Sequence, residues 1–409
     1  MTAQCPARRG ALPSRILIYL FPALMDMVVS LILFVSTIRV AKMGANASTV
    51  SGVITVWSLL YMCACPVAGR FVTPANAARM MVACCASVSV LCVLFTVLSS
   101  LIGIYVLMLL VGAAVAFFFA PFQVFMKAVD TADGRPVTYS TGIYTFAWSM
   151  GFATGPFVSG FLMELGSRAA PGAETVGWKY AYAFGAVAAA LTAAGLYGFQ
   201  RQAARPAAPA GPAQPAAPAG GFDYSRMPDL AWLGWVGAGA GIVVLSIIRS
   251  VFPARAVTAL HMADSTQGLI FFVLNIAQAL TGLALTRSRL WMYRPWAVGA
   301  FGLVGVVGCA AFGLGSTPAA FEFAAACFGV YSGAFFFYLV FHSLTHPSRS
   351  AHYVAINESV VGVCGIIGPM LGGVIADLAG FGYPYLAGAL VVAVATAFQC
   401  GVHRRHGAV

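Results

Sequence analysis

Gly151 to Gly166 reads GFATGPFVSGFLMELG, and Cys364 to Gly380 reads CGIIGPMLGGVIADLAG. Superposing Pro156 on Pro369, an offset of 213, lays Gly155 on Gly368, Gly160 on Gly373, Glu164 on Asp377 and Leu165 on Leu378. Two further matches keep the same order. Ala116-Phe117-Phe118-Phe119 corresponds to Ala334-Phe335-Phe336-Phe337 at an offset of 218, and Gly69 to Gly282 at 213. Three matches in one order indicate an internal duplication, so the chain reads as two related halves.

Each of these segments lies in an apolar run long enough to cross a bilayer, which takes roughly 20 residues. Working outward from them gives twelve such runs: 15–38, 50–69, 80–98, 102–124, 139–162 and 180–199 in the first half, then 230–252, 267–285, 295–314, 321–341, 355–375 and 385–400. Pro253 is read as closing the seventh. The composition agrees, because 61% of the 409 residues are hydrophobic and 8% are charged. Soluble chains carry about 25% charged residues, so this one cannot cover a water-facing surface. That excludes a soluble enzyme, a nucleic-acid-binding domain and a disordered chain, and predicts an all-α integral membrane protein surrounded by lipid.

A net charge of +11 has a membrane explanation, since cytoplasmic loops are enriched in Lys and Arg. With the N-terminus inside, the cytoplasmic set is Arg8, Arg9, Arg15, Arg70, Arg79, Lys127, Arg135, Arg201, Arg205, Arg226, Arg287, Arg289, Arg294, Arg349, Arg404 and Arg405, sixteen of the 22 basic residues. Arg39, Lys42, Arg168, Lys179 and Arg255 fall outside, and Arg249 lies within a span. Both termini are therefore expected in the cytoplasm. The first segment is too long for a signal peptide, carries Asp26 at its middle and lacks a small-residue cleavage site, so it reads as a retained helix. The tract AARPAAPAGPAQPAAPAGG (203–221) cannot offset its ordering entropy and reads as a semi-extended cytoplasmic linker. The expected organisation is a six-helix bundle over 1–200, a linker over 201–228 and a second bundle over 229–409. The Ala/Pro richness points to a bacterial inner membrane.

At these residues the chain resembles the major facilitator superfamily. Gly151, Gly155, Pro156 and Gly160 are similar to that superfamily's helix 5 motif, characteristic of its proton-coupled antiporters, and Gly368, Pro369 and Gly373 repeat it. Small residues at helical spacing let two backbones approach, and proline permits a bend. Close packing without a mechanistic role is the alternative. The segment 66–79, with Gly69, Arg70 and Arg79, resembles a degraded form of the superfamily's loop signature, echoed at 282–294. The usual acidic residue before Arg70 is absent, which leaves these arginines as topology determinants or as a weakened gate. The resemblance implies two pseudo-symmetric six-helix bundles rocking about a midplane site for a small-molecule substrate.

Charges inside a bilayer are costly, so the few present are the leading site candidates. Asp26 lies about 16 Å along its helix from Arg15, near the midplane. Such a carboxyl can exchange a proton or, when ionised, face a cation; a hydrogen-bonded structural acid is the alternative. The resemblance adds weight, because several proton-coupled drug exporters of the superfamily use an acid in helix 1. Glu358, expected in the opening turns of helix 11, reads as a second proton site, an inner-gate element or a solvated helix-start acid. Arg249 can grip an anion with two parallel hydrogen bonds or snorkel to the outer interface. Gln123, Tyr144, Trp148, Asn275 and Gln278 are further candidates for lining the cavity, with Tyr144 and Trp148 sharing a helix face. His342 and His346 fall towards the cytoplasmic loop.

The ten cysteines lie, apart from Cys5, in apolar runs without Cys-x-x-Cys spacing and read as small buried hydrophobes. The spans hold no Ser/His/Asp, Cys/His or metal-ligand constellation, so no enzyme, metal site or cofactor is expected. The expected activity is proton-coupled antiport (efflux) of a small organic solute by a monomer, with protons as the coupling partner. Uptake of an anionic metabolite through Arg249, or a transporter-like receptor, stands as the alternative.

Overall fold

The computed structural model describes residues 17–73, 75–133, 137–169, 176–203, 229–287, 291, 294–345 and 350–405. Twelve long helices occupy them: α1 Leu20–Lys42, α2 Ala47–Phe71, α3 Ala77–Val97, α4 Leu101–Asp133, α5 Val137–Ala169, α6 Gly177–Ala203, α7 Ala231–Thr258, α8 Asp264–Leu285, α9 Pro295–Leu314, α10 Pro318–Thr345, α11 Ser350–Ala379 and α12 Tyr383–Arg405. A short 3-10 turn, Leu17–Tyr19, leads into α1. Eleven of the helices are long and apolar enough to cross a membrane. The remaining one, α5, has the length, but its Gly, Ser and Thr residues dilute its apolar character. Cys5, Arg8, Arg9, Arg15, Arg135, Arg205, Arg226, Arg289, His346, Arg349 and the linker tract from 204 onward lie outside the described residues, as does the side chain of Lys127.

The duplication is visible in the packing. In the first half α1 packs on α5, α2 on α4 and α3 on both α4 and α6; in the second, α7 packs on α11, α8 on α10 and α9 on both α10 and α12. The two bundles meet along two equivalent seams, α5 against α8 and α2 against α11. The quoted glycines make these approaches possible. A Cβ on Gly155 would overlap the Met27 carbonyl oxygen of α1, and one on Gly368 would overlap the Val243 carbonyl oxygen of α7. Backbone contact at such positions supplies the van der Waals packing that holds helices together where lipid removes the hydrophobic drive.

Two arginines repeat in the same way. Arg39 near the end of α1 donates to the Phe95 and Leu98 carbonyls at 3.1 and 2.6 Å. Arg255 near the end of α7 donates to those of Phe312 and Gly315, both at 2.7 Å. Each closes the carbonyl end of its neighbour, α3 or α9, whose last turn has no intrahelical donors. Lys42 pairs with Asp264, Arg168 with Glu164, and Lys179 lies over the Trp178 ring. All five basic residues of the expected outer set thus have a structural partner.

Several expected boundaries shift. Pro253 does not end α7, which continues to Thr258. Membrane helices tolerate such a proline because neighbouring groups re-satisfy the freed carbonyl. α4 and α5 run past the apolar stretches that suggested them, and Gly69 and Arg70 belong to the last turn of α2. The Asn46 side chain accepts from Thr49 N at 3.0 Å and so caps α2.

Candidate functional site

Between the bundles lies a cavity walled by α1, α2, α4, α5, α7, α10 and α11. Its wall is mostly apolar and aromatic, including Trp57, Phe119, Tyr144, Trp148, Phe152 and Phe336, with a few polar groups set into it. That composition is typical of a site for a small organic molecule. Six of the expected residues converge here: Asp26, Gln123, Tyr144, Trp148, Arg249 and Glu358.

Asp26 is 2% exposed, and its Oδ2 atom has no hydrogen-bond partner. Its position follows from α5, since a Cβ on Gly151 would stand 2.7 Å from the Asp26 Cβ. The glycine motif and the acid therefore form one local structure, in which α1 and α5 make close contact at the Asp26 Cβ and the adjoining backbone. Ser30, one turn on, donates to the Gly151 carbonyl at 3.3 Å across the same contact.

Glu358 corrects the expectation of an acid at a helix start. α11 begins at Ser350, so Glu358 is two turns inside it and faces the cavity. Tyr61 Oη donates to its Oε2 at 2.7 Å, and Gln123 Nε2 donates to its Oε1 at 2.8 Å. Both oxygens are engaged, in contrast to Asp26.

Arg249 does not snorkel outward. Its guanidinium lies 4.2 Å from the centre of the Phe152 ring and donates to Asn275 Oδ1 at 3.2 Å. Asn275 in turn donates to the Phe271 carbonyl at 2.7 Å, which fixes its amide orientation. Asn275 thus lies behind Arg249 and orients it rather than lining the main cavity. Among the described residues no ion pair within 4.0 Å joins Arg249 to Asp26.

Gln278 also lies away from the cavity, contrary to its place among the expected lining residues. It is fully buried, donates to Ser149 Oγ at 2.7 Å and accepts from Ser332, tying α8 to α5 and α10. Tyr144 stacks on Phe122, and Trp148 meets Phe336 edge-on at 4.8 Å. Arg70 and Arg79 are exposed, and Gly69 has open space around it. His342 faces into the second bundle beside Tyr338, Gln399 and His403.

Among the cavity residues that were not anticipated are Trp57, Ser58, Tyr61 and Asn357. Trp57 and Tyr61 stack with centroids 5.2 Å apart. Their spacing of four on one helix is the same signal that picked out Tyr144 and Trp148. Asn357 accepts from Trp235 Nε1 at 2.8 Å and from Ser343 Oγ at 2.9 Å.

One side of the cavity is closed. Lys42 of α1 reaches Asp264 of α8 at 2.6 Å, Phe34 meets Phe271 edge-on, and α1 packs on α7. On the other seam Asp377 of α11 accepts from the backbone N–H groups of Ala47 and Ser48 at 2.8 and 3.0 Å and from the Ser48 hydroxyl, capping α2 across the bundle boundary. Among the described residues no comparable packing joins α4 to α10 at the opposite end.

Two related bundles enclosing a polar-studded cavity, sealed at one end by contacts between them, define a solute carrier rather than an enzyme. The family model of the Major Facilitator Superfamily matches residues 16–346, and the chain belongs to that family. Solved structures agree on the fold. A bacterial homologue of the human lysosomal transporter Spinster, inward-facing and unoccupied, aligns over 97% of this chain and 98% of its own with a TM-score of 0.68 and 16% identity. The human organic anion transporter MFSD10 (TETRAN) aligns over 97% and 100% with a TM-score of 0.58 and 14% identity. The nucleoside transporter NupG aligns over 95% and 99% with a TM-score of 0.64 and 11% identity. No curated protein sequence matches the chain. It is a multi-pass membrane transporter of a small solute.

Proposed function

We propose that the protein is a proton-coupled antiporter of a small organic solute, with Asp26 as the coupling group. The observation that carries this reading is the unpartnered Asp26 carboxylate oxygen, buried in the cavity wall where α1 and α5 make backbone contact. A buried carboxyl without a fixed partner is stabilised either by a proton or by a cationic group brought in by the solute. The two compete for one oxygen, and that competition is the minimum needed for exchange. Glu358, held by Tyr61 and Gln123, serves as a second acid whose proton occupancy depends on those donors.

The test is proton release in weakly buffered detergent solution. A solute that binds through Asp26 should expel a proton on binding. Asp26→Asn should bind without release, and equal release from both proteins would remove Asp26 from the coupling.

Arg249 favours a second reading, uptake of an anionic solute, because its guanidinium faces the same cavity. In that case Arg249→Lys should weaken binding of organic anions.

The accompanying assignments are part of the same proposal: bundles over 1–200 and 229–409, a linker over 201–228, a monomer in a bacterial inner membrane and both termini in the cytoplasm. On this orientation the closed end of the cavity faces outward.

A further inference from the structure

We propose that the solute is an amphiphilic zwitterion, with its anionic group held by Arg249, Trp57 and Ser58 and its cationic group by Asp26. This rests on the transport reading above but not on the direction of transport or the coupling ion.

Depth in the membrane can be read from the outer helix ends. Arg39 and Arg255 occupy equivalent places on α1 and α7, which sets Lys42 level with Thr258. At about 1.5 Å per residue, Arg249 lies about 14 Å in from that end, Trp57 and Ser58 about 15 to 17 Å from the start of α2, and Asp26 about 24 Å. Leu33 supports this registration, since it is the α1 residue level with Arg249 and both line the same recess.

At the shallower level three groups can donate hydrogen bonds to a solute. Trp57 Nε1 and Ser58 Oγ are buried without partners, and Ser58 is 1% exposed. Arg249 has one side-chain hydrogen bond, to Asn275, for its five N–H groups. A tryptophan N–H is a donor only, so its partner must be an acceptor. Three donors at one level, one of them a cation, suit a group with several acceptor oxygens such as a carboxylate, sulfonate or phosphate. Asp26 lies about 10 Å deeper by backbone position, and the two side chains form no ion pair within 4.0 Å. A buried charge left unpaired is strongly unfavourable, so a solute bearing both signs relieves both groups at once. The aromatic wall between the two levels takes its apolar body.

The test uses one rigid aryl body carrying a trimethylammonium, a sulfonate or both, with the two charges held at most about 10 Å apart, the axial offset of the two backbone positions. Binding to the purified full chain is followed by calorimetry. The zwitterion should bind at least about tenfold more tightly than either single-charge probe. Trp57→Phe, which keeps the ring and removes the donor, should weaken the zwitterion and the anion but not the cation. Asp26→Asn should weaken the zwitterion and the cation but not the anion.

A cation bound as tightly as the zwitterion, a Trp57→Phe protein with unchanged zwitterion affinity, or no binding by any of the three would overturn the proposal. The cation result, if accompanied by proton release, would leave the antiport reading standing. Zwitterion binding without proton release would leave this site standing and remove that reading.

Discussion

Glu358 and Asp26 are both carboxyls on one cavity wall, and their neighbours give them different work. Tyr61 and Gln123 satisfy both oxygens of Glu358, whereas Oδ2 of Asp26 is buried without a partner. Removing the Tyr61 donor should therefore be felt in stability. Tyr61→Phe is expected to destabilise the protein by about 1 to 2 kcal/mol in reversible unfolding, with most of the loss absent when Glu358→Met, which removes the acceptor, is already in place. Gln278 gives the opposite contrast, a polar residue of the expected site that proves to be a link between helices. Gln278→Ala should lose about 1 kcal/mol of stability while leaving solute affinity unchanged, a combination that a cavity residue would not show.

At the scale of elements, the repeated glycine segments are contact surfaces between helices. A methyl group on Gly155 would overlap backbone of α1, whereas one on Gly69 would meet nothing within 4 Å. Gly155→Ala is thus expected to cost about 1 to 3 kcal/mol and to lower transport. Gly69→Ala should leave the melting temperature and transport unchanged, because its exposed position in the last turn of α2 needs no close approach.

The existence and order of all twelve helices were legible from apolar runs, and their pairing from the offset of 213. The ends were not, because α4 and α5 continue past their apolar stretches into charged sequence where hydropathy gives no signal. Six cavity residues were legible because ionisable and aromatic groups stand out in apolar spans. Asn275 and Gln278 differ from Gln123 only in which way their helix faces, and that depends on packing across the bundle boundary. Trp57 and Ser58 gained meaning only when the structure showed their polar atoms buried and unpartnered.

Over the whole molecule, the contacts that close one side of the cavity all cross between bundles and must break for the other state to form. Lys42 with Asp264 and Asp377 with the first turn of α2 are the polar members of that closure. Asp377→Ala leaves N–H groups at the start of α2 without acceptors and should shift the population towards separation at this end. Spin labels at the ends of α2 and α11 on that side should then show an added longer distance in pulsed electron resonance. A distance distribution identical to that of the parent protein would assign Asp377 to local stability alone.

The central claim, that one buried carboxyl couples solute to proton, meets its most direct test in proteoliposomes under an imposed pH gradient. With Asp26 present, the gradient should drive the solute against its own concentration difference. Asp26→Asn should abolish that uphill movement and retain downhill exchange. Uphill transport that persists undiminished in Asp26→Asn at every pH would contradict the account.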